Sequence, residues 1–175
     1  MKRADLEHII RASADIADDD EIIVLGSQSI LAQFPNAPAE LLVSTEADVY
    51  PKNHPERWEL IDGSIGELSP FHSTFGYYAQ GVEVGVAVLP EGWSDRLVVL
   101  CNPNTRNAKG LCLEVHDLAI SKYFAGREKD GRFLRALASH GLVGRDLLLA
   151  RLVATPIDDA ARERIRKAIA QDFAT

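Results

Sequence analysis

Glu21-Ile-Ile-Val-Leu-Gly26, followed at once by Ser27-Gln-Ser-Ile-Leu31, is the stretch on which the fold turns. Its apolar run, rich in β-branched residues, is too short for a helix, so it reads as a buried strand that stops at a glycine. Ser27 is a helix-capping residue type, and Gln28 to Phe34 reads as a short helix that Pro35 and Pro38 bring to an end. A strand that runs through Gly-Ser into a helix leaves backbone amides and a hydroxyl where an anion can come close.

Upstream, residues 2–17 read as a helix, with Leu6, Ile9, Ile10, Ser13, Ile16 and Ala17 on one stripe. The acidic run Asp18, Asp19, Asp20 and Glu21 breaks it. Downstream, Leu41 to Val43 and Ala47 to Tyr50 suggest a strand pair closed by Pro51. Residues 55–68 are expected to be helical, with Trp58, Ile61 and Ile65 spaced near 3.6, although Gly63 and Gly66 weaken the pattern. Gly81 to Leu89 alternates through Val82, Val84, Val86 and Val88, which predicts a strand with one apolar face. Arg96 to Cys101 is expected to be the next strand. A polar, turn-rich stretch over 102–110 then changes the character of the chain. Residues 113–126, 129–139, 144–153 and 156–173 all read as helices, the last opening on Thr155, Pro156 and Asp158. The expectation is an α/β (α+β) domain over 1–110 and a helical region over 111–175 packed against it.

Composition narrows the function classes. The 175 residues are 46% hydrophobic and 26% charged, which excludes a disordered or collagen-like chain. Nineteen basic against 26 acidic residues give a net charge of -7, so no general attraction to nucleic acid or anionic lipid follows. Two cysteines are too few for a disulfide framework or a zinc site. No apolar run approaches the roughly 20 residues of a membrane span, and a cytoplasmic location is expected. The glycine pattern of a P-loop or dinucleotide fingerprint is absent, Gly26-Ser-Gln-Ser-Ile30 lacks the second glycine of a nucleophile elbow, and the five histidines are scattered.

The chemistry-bearing residues lie elsewhere. Glu46-Ala-Asp48 puts two carboxylates on one face of a strand, about 7 Å apart along the backbone. Like charges so placed repel unless a cation lies between them, and Mg²⁺ suits a carboxylate pair that also meets substrate phosphates. Gly26 and Ser27 supply the complementary phosphate cradle. The bland alternative is a helix cap beside acids on a solvated edge strand. Glu83 interrupts the valine-rich strand, points away from its apolar face, and would complete a three-carboxylate site if that strand lay beside Glu46 and Asp48. Lys122 and Arg127, in Asp117-Leu-Ala-Ile-Ser-Lys-Tyr-Phe-Ala-Gly-Arg-Glu-Lys-Asp130, could reach toward a polyphosphate, against the alternative of a salt-bridged helix surface.

Taken in order, these segments resemble the nucleotidyltransferase superfamily, in particular small bacterial branches related to minimal nucleotidyltransferases and AbiEii-type toxins. The likeness rests on GSQSIL (26–31), STEADVYP (44–51), LPEGWSDRL (89–97) and DLAISKYFAGREKD (117–130), and spans about residues 20–140. It implies a mixed sheet with flanking helices, followed by a C-terminal helical region. It also implies a transferase that moves a nucleoside monophosphate from an NTP to an acceptor (a protein, an RNA or a small molecule), with Mg²⁺ or Mn²⁺ as cofactor. Gly26 and Ser27 would hold the triphosphate, with Lys122 and Arg127 as further candidates. Glu46, Asp48 and Glu83 would be the metal-binding and catalytic acids, Glu46 standing where the superfamily usually has aspartate. The rival expectation is a non-catalytic relative that binds a partner protein in a toxin–antitoxin or regulatory pair.

Overall fold

The computed structural model describes residues 1–174. The chain divides into two compact units, one of residues 1–86 and 97–113, the other of residues 87–96 and 114 onward.

The first unit is a mixed five-stranded sheet with helices on it. Helix α1 (Arg3–Ala17) ends at Asp18, which takes the left-handed conformation with φ 48°. Strand β1 (Glu21–Val24) pairs antiparallel with β2 (Glu46–Pro51). β2 pairs parallel with β3 (Tyr78–Gly81). On its other side β1 runs parallel to β5 (Lys109–Cys112), which carries the antiparallel β4 (Val98–Leu100). The sheet order is therefore β3-β2-β1-β5-β4, with the Glu21 stretch at its centre. Ile22, Ile23 and Val24 are all buried, so both faces of this central strand are covered, which is why its sequence shows no polar alternation. Leu6, Ile9, Ile10, Ala14 and Ala17 of α1 pack with Ile22, Val24, Ala47, Val49 and Ala79 of the sheet. Ile61 and Ile65 of α2 (Trp58–Ile65) join this core. Gly110 belongs to the same packing: a Cβ there would lie 2.3 Å from Ile10 Cδ1, so any side chain on it would displace Ile10 from the core.

Several expectations are corrected. Leu41 to Val43 is not a strand: Ala39–Leu41 is a 3-10 turn and Val43 is exposed. The helix expected over 28–34 is a 3-10 segment, Ser27–Ala32, whose cap position is Gly26 rather than Ser27. The alternating valines of 82–89 do not form a strand, because the chain leaves the sheet at Gly81 and turns at Gly85, which has φ 87°. Val84 and Val86 are accordingly exposed; period two marked no buried face here. β5 lies within a stretch expected to be turn and helix, and a short helix, α3 (Pro70–Phe75), precedes β3.

The second unit contains α4 (Val115–Ala125), α5 (Glu128–Ser139), α6 (Arg145–Val153) and α7 (Asp159–Asp172), close to the helices expected. Gly126 ends α4 in the left-handed conformation with φ 64°. α4 packs against the other three helices. Leu118, Leu134, Leu137, Leu148, Leu152, Ile165 and Ile169 are buried among them. Asp117, fully buried, receives Arg96 through Nε at 2.8 Å and Nη2 at 3.0 Å and lies 3.0 Å from Arg151 Nε, which fastens residues 87–96 to α4 and α6. Among the described residues no helix is long and apolar enough to cross a membrane.

Candidate active site

Strand β2 builds the site by alternation. Ala47 and Val49 point into the core and are fully buried, so Glu46 and Asp48 project from the opposite face, where both keep partial exposure. The Leu25 N–H donates to the Asp48 carbonyl at 2.9 Å, which carries the β1 pairing up to the Gly26 turn. Gly26 then passes directly over Asp48: a Cβ on it would lie 2.2 Å from Asp48 Oδ2. Its φ of -63° and ψ of -173° are open to any residue, so glycine is required here for space, not for backbone freedom. The fold thus joins the two motifs that sequence spacing could only place on separate segments.

Ser27 follows, partly exposed, with its Oγ accepting a hydrogen bond from Gln28 Nε2 at 3.3 Å. Gln28 is fully buried and also donates to the Leu41 carbonyl at 3.4 Å. The Ser29 N–H is used by the Gly26 carbonyl at 3.0 Å. A six-residue 3-10 segment carries too little aligned dipole to hold an anion by itself. Any phosphate contact here rests on the Ser27 hydroxyl, because the space beside Gly26 is taken by the Asp48 carboxylate.

Across the ladder, Glu46 is in register with Tyr78 and Asp48 with Gln80. The Tyr78 hydroxyl donates to Glu46 Oε2 at 3.0 Å. Its ring centroid lies 4.6 Å from that of His72, and it is nearly buried at 7% exposure. Burial, then the hydrogen bond to Glu46, then the charges of Glu46, Glu67 and Asp48 push the Tyr78 phenol up to about 12. Gln80 is turned to α2, donating to Asp62 Oδ1 at 2.9 Å, and Asp62 also accepts from the Gly81 N–H. Tyr78 went unnoticed in the sequence because four residues, Tyr78 to Gly81, are too few for period two to show.

Glu83 lies outside β3, on an exposed turn, so the strand-face reasoning that brought it to the acidic pair does not hold. Among the described residues no group of three or more His, Cys, Asp or Glu is placed to hold a metal ion. Glu46 and Asp48, side by side on one face of β2, carry hard oxygen donors of the type that Mg²⁺ and Mn²⁺ take alongside phosphate oxygens.

In the helical unit, Lys122 Nζ lies 3.1 Å from Asp130 Oδ1 and Arg127 Nε 2.7 Å from Asp130 Oδ2. Burial would raise the Asp130 pKa, but the hydrogen bond from Arg127 and the Lys122 charge outweigh it and hold the carboxyl below its usual range. The two cations that the sequence offered to a polyphosphate thus share one buried carboxylate.

The mixed sheet, with its central strand entering a Gly-Ser turn over a neighbouring acid-x-acid strand, agrees with the resemblance to nucleotidyltransferases. Residues 4–172 match the family described as "Nucleotidyltransferase of unknown function (DUF6036)", and the chain belongs to it. No curated protein and no solved structure matches it.

Proposed function

We propose that this chain transfers a nucleoside monophosphate from an NTP to an acceptor hydroxyl, with Mg²⁺ or Mn²⁺ held by Glu46 and Asp48. The observation that carries the proposal is the seating of Gly26 on the Asp48 carboxylate, which brings the phosphate-cradle and metal motifs together. In the reaction the acceptor oxygen bonds to the α-phosphorus, the bond to the β-phosphate oxygen breaks, pyrophosphate leaves, and the acceptor proton passes to solvent. The metal supplies charge neutralisation on the triphosphate. Gly26 leaves room for the Asp48 carboxylate beside the turn, and Ser27 offers its hydroxyl to the phosphates as a donor. Glu46 and Asp48 fix the position of the cation from a strand, a rigid element, which favours in-line orientation. A specific observation favours a non-catalytic, partner-binding relative: β3 presents Tyr78 and Gln80, not a third acid, in register with the pair.

The experiment is a thermal-shift panel of the four NTPs, each with and without Mg²⁺ or Mn²⁺, on wild type and Asp48→Asn. Metal alone is expected to stabilise wild type, metal with nucleotide to stabilise it further, by about 2.7 kcal/mol for a ligand at 100 times its Kd, and both shifts are lost in Asp48→Asn. An equal shift in the two proteins contradicts the assignment. Nucleotide binding without pyrophosphate release from any acceptor pool favours the partner-binding relative.

A further inference from the structure

We infer that Tyr78 is a positioning residue for the metal site, acting through Glu46; the inference rests on the metal role of Glu46 and Asp48 proposed above. Three observations converge on it. Tyr78 stands in register with Glu46 on the adjacent parallel strand, so its side chain emerges on the same face. Its hydroxyl donates to one carboxylate oxygen, Oε2, at 3.0 Å. The ring that carries the hydroxyl is nearly buried and lies in contact with His72, whose Nδ1 in turn accepts from the Leu68 N–H at 3.1 Å. The phenol is therefore set by packing before any ligand arrives.

Glutamate gains one more rotatable bond than aspartate, so Glu46 has more conformations to give up when its carboxylate ligates a cation. A hydrogen bond to one of its oxygens restricts rotation of the carboxyl plane and removes part of that loss. Asp48, one bond shorter and pressed by Gly26, has less freedom to restrict. The neighbouring strand thus serves the acidic pair with a hydroxyl that orients a ligand rather than with a further ligand. Partners that orient metal ligands in this way typically matter about 10- to 100-fold in metal affinity.

The test is a titration with Mn²⁺ alone, following the free-ion electron paramagnetic resonance signal, on wild type, Tyr78→Phe, Glu46→Ala, the double variant and Asp48→Asn. Tyr77→Phe, which removes a hydroxyl that contacts His8 instead, is the control. Tyr78→Phe is expected to weaken Mn²⁺ binding about 10-fold or more with its melting temperature close to that of Tyr77→Phe. In the Glu46→Ala background the same substitution is expected to change nothing, which a general packing role would not produce. Wild-type affinity in Tyr78→Phe, with binding lost in Asp48→Asn, overturns this inference alone. Unchanged Mn²⁺ binding in Asp48→Asn overturns the metal site and the inference with it. An equal loss on adding Tyr78→Phe to wild type and to Glu46→Ala shows that Tyr78 does not act through Glu46, and also overturns it.

Discussion

Gly26 has ordinary backbone angles, yet no larger residue fits it without moving Asp48, and this makes it a sensitive probe of the site. The obstructing atom is the far end of a short side chain, so Gly26→Ala resolves the clash by turning the Asp48 carboxylate aside. Overpacking typically costs about 1–3 kcal/mol, while Gly→Ala at a compatible φ returns about 0.4–1 kcal/mol. Gly26→Ala is therefore expected to lower stability only modestly in urea while weakening Mn²⁺ binding as strongly as Asp48→Asn. Full Mn²⁺ affinity in Gly26→Ala contradicts this.

Among the elements, the junction of α4 and α5 decides what Lys122 and Arg127 do for the helical unit. Asp130 is fully buried, Lys122 is 11% exposed and Arg127 59% exposed, so the three do not weigh equally. Asp130→Ala leaves the Lys122 ammonium nearly buried without that carboxylate and is expected to cost about 3–5 kcal/mol. Arg127→Ala removes a mostly solvated partner and is expected to cost at most about 1 kcal/mol. Urea denaturation of the two variants separates these outcomes, and comparable losses contradict the division of roles. The four helices of this unit were legible in the sequence because each has a stripe, a cap or a stop, such as Asp158 opening α7 and Gly126 closing α4. The strands were less so. β5 is four residues with a glycine inside it, and its identity depends on pairing with β1 and on Ile10 covering Gly110.

For the whole molecule, the charge balance sets the response to pH. Glu7, Asp19, Glu21, Glu114 and Asp130 all have pKa values lowered in the folded protein. For Glu7, Asp19, Glu114 and Asp130 burial opposes the shift, but hydrogen bonds outweigh it, helped by neighbouring charges in all but Asp19; for Glu21 the hydrogen bonds from Lys52 and Lys109 come first. A depressed folded-state pKa gives stability that is present above the unfolded pKa, about 4, and is lost as pH falls through the folded one. His8, lowered chiefly by burial, acts in the same direction at higher pH, since the unfolded chain takes up its proton first. The urea midpoint is expected to decline slightly from pH 7 to 5 and steeply below about pH 4. A midpoint that is flat down to pH 3.5 contradicts it.

Local sequence by itself determined the central strand, the Gly-Ser turn, the shared face of Glu46 and Asp48, and the helical second half. Each of these follows from periodicity, chain punctuation or alternation over a few adjacent residues. Tertiary structure alone decided that Gly26 rests on Asp48, that Tyr78 bonds Glu46, that β5 enters the sheet and that Glu83 stands on an exposed turn. These depend on which strands lie side by side and in what register. Pairing energy comes from partners far away in the chain, so a strand's own pattern does not say which strand will lie beside it.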